Sequence, residues 1–165
     1  MLILGLDPGL AIVGYGVIVY ENSKFTVMDY GTITTTAGTP LPARLNRVFM
    51  GVEQLIEKYS PNCVSIEELF FYNNAKTAIA VGQARGVALL ACEQANIPIY
   101  EYTPKQVKLG AVGYGLADKK QVQHMVKVLL NLKEIPKPDD AADALAIAIC
   151  HGNMVGPMQE TNRIK

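Results

Sequence analysis

Apolar and polar positions divide the chain into short blocks of two different periods. Ile3 to Leu6 is apolar without interruption, as in a strand buried on both faces, and ends on Asp7 before Pro8-Gly9 turns the chain. Gly14 to Tyr20 is rich in β-branched and aromatic residues and reads as a second strand; Lys24 to Thr34 alternates as a third, completing an antiparallel meander. Past a Thr/Gly/Pro loop, Ala43 to Tyr59 places Leu45, Val48, Phe49, Val52, Leu55 and Ile56 at helical spacing. Cys63 to Ile66 is a fourth, apolar strand that runs into Glu67-Glu68, and Leu69 to Asn74 is an aromatic loop.

Ala75 to Ala95 predicts a long helix, and Gly82 and Gly86 within it suggest close approach by another element, such as a second subunit. Ile97 to Glu101 is a fifth strand, placed at a sheet edge by Pro98. Thr103-Pro104 caps a short helix to about Ala111, and glycines at 110, 113 and 115 link it to a helix over Lys119–Leu132. Pro136 and Pro138 break that helix, and Asp139 to Cys150 forms the last one. The order βββαβαβ with two helical crossovers gives an α/β fold, a five-stranded mixed sheet flanked by helices. Residues 1–154 read as a single domain and 155–165 as a loose tail.

Composition narrows the classes. The chain has 165 residues, half of them hydrophobic, enough for one sizeable core. No apolar run approaches the roughly 20 residues of a membrane span. The N-terminus lacks the basic region and cleavage site of a signal peptide. Cys63, Cys92 and Cys150 form no paired motif and read as buried, reduced thiols of a cytoplasmic protein. Fifteen basic and fifteen acidic residues cancel, which taken alone argues against a nucleic-acid partner. The charge is segregated, however: between Tyr102 and Lys127 five lysines face a single carboxylate, Asp118.

The carboxylates carry the chemistry. Asp7 and Glu67 end two parallel strands, and Asp140 and Asp143 lie three apart at the start of the last helix, on one side of it. That helix is rich in alanine, which lets it approach the sheet closely. Four carboxylates at one sheet end would suit Mg²⁺ or Mn²⁺. Two such ions about 4 Å apart can activate a water and stabilise the leaving oxygen of a phosphodiester. Each residue also has an ordinary reading. Asp7 can begin a turn, Asp140 and Asp143 suit the first turn of a helix, and Glu67-Glu68 can be a solvated strand end. Convergence on one end of the sheet favours the metal.

Gly5-Leu-Asp-Pro-Gly9 with Gly14-Tyr-Gly-Val-Ile18 resembles the opening of the RuvC family of Holliday junction resolvases. Ile66-Glu-Glu-Leu-Phe70, Gly82-Gln-Ala-Arg-Gly-Val87, Gln121-Val-Gln-His-Met125 and the run from Asp140 to Ala148 are similar to that family too, in the expected order. The resemblance implies an RNase H-like fold, a homodimer and paired, symmetric nicking of four-way DNA junctions in recombination and repair. It implies a bacterial, nucleoid-associated setting and a branch-migration helicase partner. Its four carboxylates fall on Asp7, Glu67, Asp140 and Asp143. By analogy Asp7 would bridge two Mg²⁺ per subunit, with Mn²⁺ as a substitute. Glu67 would hold one ion, and Asp140 and Asp143 the other or a shared position. Phe70 matches a base-stacking or wedging position, with core packing as its alternative. Lys108 and Lys119 match basic positions near the site, with solvated helix charge as theirs. Lys76, Arg85, Lys105 and Lys120 are further candidates for DNA contact. Glu68 is expected on the opposite face from Glu67, Asp139 as a helix cap, and His124 and His151 in structural roles. Two other classes compete. A junction-binding protein without catalysis would not need carboxylates facing phosphate. An actin-like nucleotide-binding module would need a second phosphate loop and a second lobe.

Overall fold

The computed structural model describes residues 1–69, 75–154 and 160–164, with only the backbone described over 75–77. Strand β1 (Leu2–Asp7) lies at the centre of a sheet of order β3-β2-β1-β4-β5. It pairs antiparallel with β2 (Ile12–Glu21) and parallel with β4 (Cys63–Glu67). β3 (Lys24–Thr34) closes the meander on one side, and β5 (Ile99–Tyr102) runs parallel to β4 on the other. The helices are α1 (Leu41–Tyr59), α2 (Ala75–Gln94), α3 (Pro104–Val112), α4 (Lys119–Leu129) and α5 (Asp139–Asn153).

Strand alternation divides the core in two. Leu4, Leu6, Val64, Ile66 and Ile99 face α1 and α2. Ile3, Cys63, Tyr100 and Tyr102 face α5, with α3 and α4 packed beside it. Asp7 and Glu67 continue this second set by alternation, so both carboxylates project to the α5 side.

The depth at which α5 sits decides where its own carboxylates fall. Its alanines meet a floor of glycines. A Cβ at Gly5 would land on the main-chain oxygen of Ala144, one at Gly14 on that of Asp140, and one at Gly16 would sit 2.7 Å from a Leu145 methyl. The helix therefore lies on the backbone of β1 and β2, and residues Ala144 to Cys150 are almost wholly excluded from water. The far end of α5 is held by a buried polar chain. The Tyr102 hydroxyl lies 2.7 Å from His151 Nδ1, and His151 Nε2 lies 3.2 Å from Cys63 Sγ. Burial pushes His151 down to about 4 and the Cys63 thiol up to about 12, so both are neutral near pH 7. His151 thus has the expected structural role, whereas His124 is exposed on α4.

Elements match the sequence expectations closely, with differences at their ends. β5 begins after Pro98, which has no N–H; its carbonyl still accepts from Val64 N–H at 2.9 Å. α4 ends at Leu129 instead of Leu132, because Asn131 adopts a positive φ of 50° that reverses the chain. Within the segment expected to be a loose tail, the described residues 162–164 pair with the sheet. Glu101 N–H donates to the Asn162 carbonyl and Ile164 N–H to the Ile99 carbonyl, both at 2.9 Å, so 162–164 covers the outer side of β5. The three cysteines are free and buried, and among the described residues no helix is long and apolar enough to cross a membrane.

Gly14→Ala tests the glycine floor directly. The added methyl must displace the Asp140 backbone, so the urea-unfolding midpoint should drop, corresponding to about 1–3 kcal/mol.

Candidate metal centre and nucleic-acid interface

Two strands, a helix and their caps position the site. Asp7 is the last residue of β1, opposite Gly14 on β2, and Glu67 is the last of β4. The Asp140 backbone rests over Gly14, which sets the start of α5 against the end of β1. Asp143 follows one turn later.

The electrostatics record the gathering. Burial, then the negative charges of Glu67, Asp143 and Asp140, push Asp7 up to about 7, with Lys119 opposing. Burial and Asp143 raise Glu67, with Lys108 opposing. Burial raises Asp143 in spite of its bond to Lys119, whose Nζ lies 3.0 Å from Asp143 and 3.3 Å from Asp139. Asp139 is thus an ion-pair partner of Lys119 instead of the expected cap; the N-cap position is Pro138, with no side-chain capping bond.

Lys108 and Lys119 enter from α3 and α4. Each helix start is fixed by a reciprocal cap. Thr103 Oγ1 accepts from Gln106 N–H at 3.1 Å while Gln106 Oε1 accepts from Thr103 N–H at 2.8 Å. Asp118 and Gln121 repeat the arrangement at 2.9 and 2.8 Å. Between these helices and α5 lies a cleft of about 210 Å³, lined by Glu67, Asp143, Lys108 and Lys119 over Ala146 and Ile147. Its lining carries both signs of charge, the carboxylates of Glu67 and Asp143 and the ammonium groups of Lys108 and Lys119.

This donor set fits a hard divalent cation. The candidate ligands are all oxygen, burial and then their mutual repulsion push Asp7 up to about 7, and the cluster already draws in an ammonium group. Among the described residues, no three acidic, histidine or cysteine side chains yet surround a common point at ligand distance. Mutual repulsion opposes such closure, and Asp143 is engaged by Lys119.

The sequence candidates for DNA contact divide. Lys108 and Lys119 line the cleft, and Lys105 and Lys120 are exposed near the starts of the same two helices. Phe70 and the Lys76 side chain lie outside the described residues. Arg85 departs from its expected role. Its side chain is only 17% exposed and is paired with Glu101 at 2.5 Å, so it is not presented to a polyanion. Sequence reasoning missed Glu101, and it missed Gly5, Gly14 and Gly16 as the floor under α5. The alternation Gly14-Tyr-Gly16 on one strand face was the available signal for the latter.

The family model described as crossover junction endodeoxyribonuclease RuvC matches residues 3–151. The chain belongs to the RuvC family. A relative in Alkaliphilus oremlandii, named crossover junction endodeoxyribonuclease RuvC, is 56% identical over 165 residues, covering 100% of both chains. One of the same name in Ruminiclostridium cellulolyticum is 59% identical over 153 residues, covering 93% of this chain and 92% of its own. The solved RuvC of Thermus thermophilus in complex with Holliday junction substrate superposes with a TM-score of 0.90 at 35% identity, covering 99% of this chain and 98% of its own. The RNase H-like expectation and the family resemblance both hold.

The raised pKa of Asp7 has a consequence for the metal-free RuvC fold. The folded state binds the Asp7 proton more tightly than the unfolded state, so this residue's penalty is absent near pH 4 and grows as pH rises through about 7. Asp7→Asn removes it. The metal-free variant should melt like the parent at pH 4 and several degrees higher at pH 8, the equivalent of about 2 kcal/mol after allowance for partial exposure. A variant that melts with the parent at both pH values in a calorimetric scan would contradict the raised pKa of Asp7.

Proposed function

We propose that this RuvC-family chain is an endonuclease that resolves four-way DNA junctions, with Asp7, Glu67, Asp140 and Asp143 as its metal-binding and catalytic residues. The observation that carries the reading is the convergence of these carboxylates at one sheet end, where burial and then the charges of Glu67, Asp143 and Asp140 push Asp7 up to about 7. A divalent cation held there would supply Lewis acidity toward a phosphodiester and lower the pKa of an attacking water. Mg²⁺ is the cation we assign, two per subunit, with Mn²⁺ as a substitute.

The chain's own groups do the rest. Asp7 stands between the strand-end Glu67 and the helical pair Asp140 and Asp143, which suits it to a shared ligand. Glu67 and Asp143 line the cleft wall opposite Lys108. Lys108 and Lys119 are placed to hold the oxygens of a phosphate brought up to that wall. With a cation held by Asp143, Lys119 would be released from that carboxylate and free to bond phosphate. Lys105 and Lys120 extend the basic track, Lys76 belongs to the same reading, and Phe70, three residues after Glu67, would stack on bases near the cut.

Paired cuts need two sites, and we assign the second to another copy of this chain. On α2, Ile79 is 61% and Leu90 49% exposed, and a Cβ at Gly86 would meet nothing within 4 Å. Among the described residues, Gly82 is approached by Leu69 of this chain, whereas nothing meets Gly86, which leaves that part of the face to a partner. A branch-migration helicase as a further partner and the bacterial cytoplasm as the place of action rest on the family resemblance alone.

Nicking of a synthetic four-way junction should require Mg²⁺ and exceed nicking of a linear duplex; equal cutting of both would remove the resolvase reading and leave a nuclease. Asp7→Asn should abolish cutting while junction affinity, measured in EDTA, stays equal or tightens. That affinity should fall steeply with salt through counterion release. Leu90→Arg should yield a monomer by analytical ultracentrifugation and uncouple the two cuts.

A further inference from the structure

Arg85 and Glu101 lie on the opposite side of the sheet from the carboxylate cluster, yet they meet the strand end that carries Glu67. Arg85 projects from α2, and its Nη2 donates to Glu101 Oε2 at 2.5 Å. Its Nε donates to the main-chain carbonyl of Glu67 at 3.4 Å. Glu101 stands on β5 opposite Ile66, the residue before Glu67. One guanidinium thus ties together α2, β5 and the last residue of β4.

The strand end needs such a tie. Pairing between β1 and β4 runs as far as Leu6 opposite Ile66. Continued onward, the register reaches Pro8, which has no N–H for the Glu67 carbonyl. The other neighbour serves the next residue: Glu68 N–H donates to the Tyr102 carbonyl at 2.9 Å. A main-chain carbonyl at a partly buried strand end requires a donor, and the guanidinium supplies it. Contact at the carbonyl leaves both carboxylate oxygens of Glu67 untouched. α2 lies close to the chain beyond Glu67 here: a Cβ at Gly82, one turn before Arg85, would be 3.8 Å from Leu69 Cδ2.

We infer that Arg85 and Glu101 form a positioning clamp that fixes the Glu67 backbone from behind, so that its carboxylate is held in the metal cluster, and that Arg85 does not read DNA. The inference rests on the proposed role of Glu67 as a metal ligand.

The test uses full-length Arg85→Ala, Arg85→Lys and Glu101→Gln, each given three measurements. These are junction affinity in EDTA, the Mg²⁺ concentration for half-maximal nicking, and the Mg²⁺ concentration for half of the metal-induced rise in melting temperature without DNA. The clamp requires junction affinity within about twofold of the parent and a Mg²⁺ requirement raised by about tenfold in both titrations, as loss of support behind a ligand does. Arg85→Lys should shift the same way by less, and the double variant Arg85→Ala/Glu101→Gln should be no worse than Arg85→Ala. Two results would overturn it. If Arg85→Ala weakens junction binding and lowers the salt slope by about one, Arg85 is a phosphate contact. If melting temperatures fall while the Mg²⁺ requirement stays unchanged, the pair is structural only. Should Arg85→Ala fail to fold, Glu101→Gln decides, because a lost DNA contact cannot explain an effect of removing a negative charge. A parent that cuts no junction would refute the proposed substrate, and the DNA-free titration would still decide the clamp.

Discussion

Four carboxylates do not gather spontaneously, and what holds them together is the contact between α5 and the bare backbone of β1 and β2. Glycines on the sheet and alanines on the helix remove every side chain that would keep the two apart. The gain is dispersion and apolar burial along the length of α5, spread over many small contacts. The cost is local: Asp7, Glu67 and Asp143 all ionise less readily than free carboxylates. Binding energy from the far end of the helix, including the buried His151 chain, is in effect stored as electrostatic tension at the near end. A cation relieves that tension, which is why a site assembled this way would bind metal without a preformed cage.

The supporting parts follow the same division of labour. Groups on the α5 side of the sheet would face the proposed chemistry: the carboxylates, with Lys108 and Lys119 lining the same cleft. Groups on the α2 side would hold the backbone without touching the reacting atoms. Asp139, on the solvent side of Lys119, shares the ammonium with Asp143. At such exposure the pair adds little stability, and its effect is to direct the lysine.

Most of this arrangement was legible in the sequence because it depends on local signals. The apolar run ending at Asp7, its echo at Glu67 and the Ala-rich helix behind Asp140 and Asp143 each announce an element and its end. The family resemblance rests on those same residues. Three features were not legible, because each is a long-range choice among equivalent local options. Arg85 reads as a free helical cation until β5 places Glu101 beside it. Asp139 reads as a cap until α4 brings Lys119 within reach. The C-terminal segment is polar and rich in Gly and Pro, so only the open edge of β5 gives it somewhere to pair. The glycine floor falls between the two classes: its spacing was visible, but its meaning needed the helix that lies on it.

The order of the elements along the chain carries a further consequence. Asp7 ends β1, whereas Asp140 and Asp143 lie on α5, which follows the other elements described. A chain still emerging from the ribosome can form the meander, β4 and β5 and hold two of the four acids, but it lacks the helix that brings the others. Any fragment released before α5 would be missing half of the proposed metal ligands and the packing that presses them together. On the proposed ligand set, a chain interrupted before α5 would therefore lack residues that cutting DNA requires.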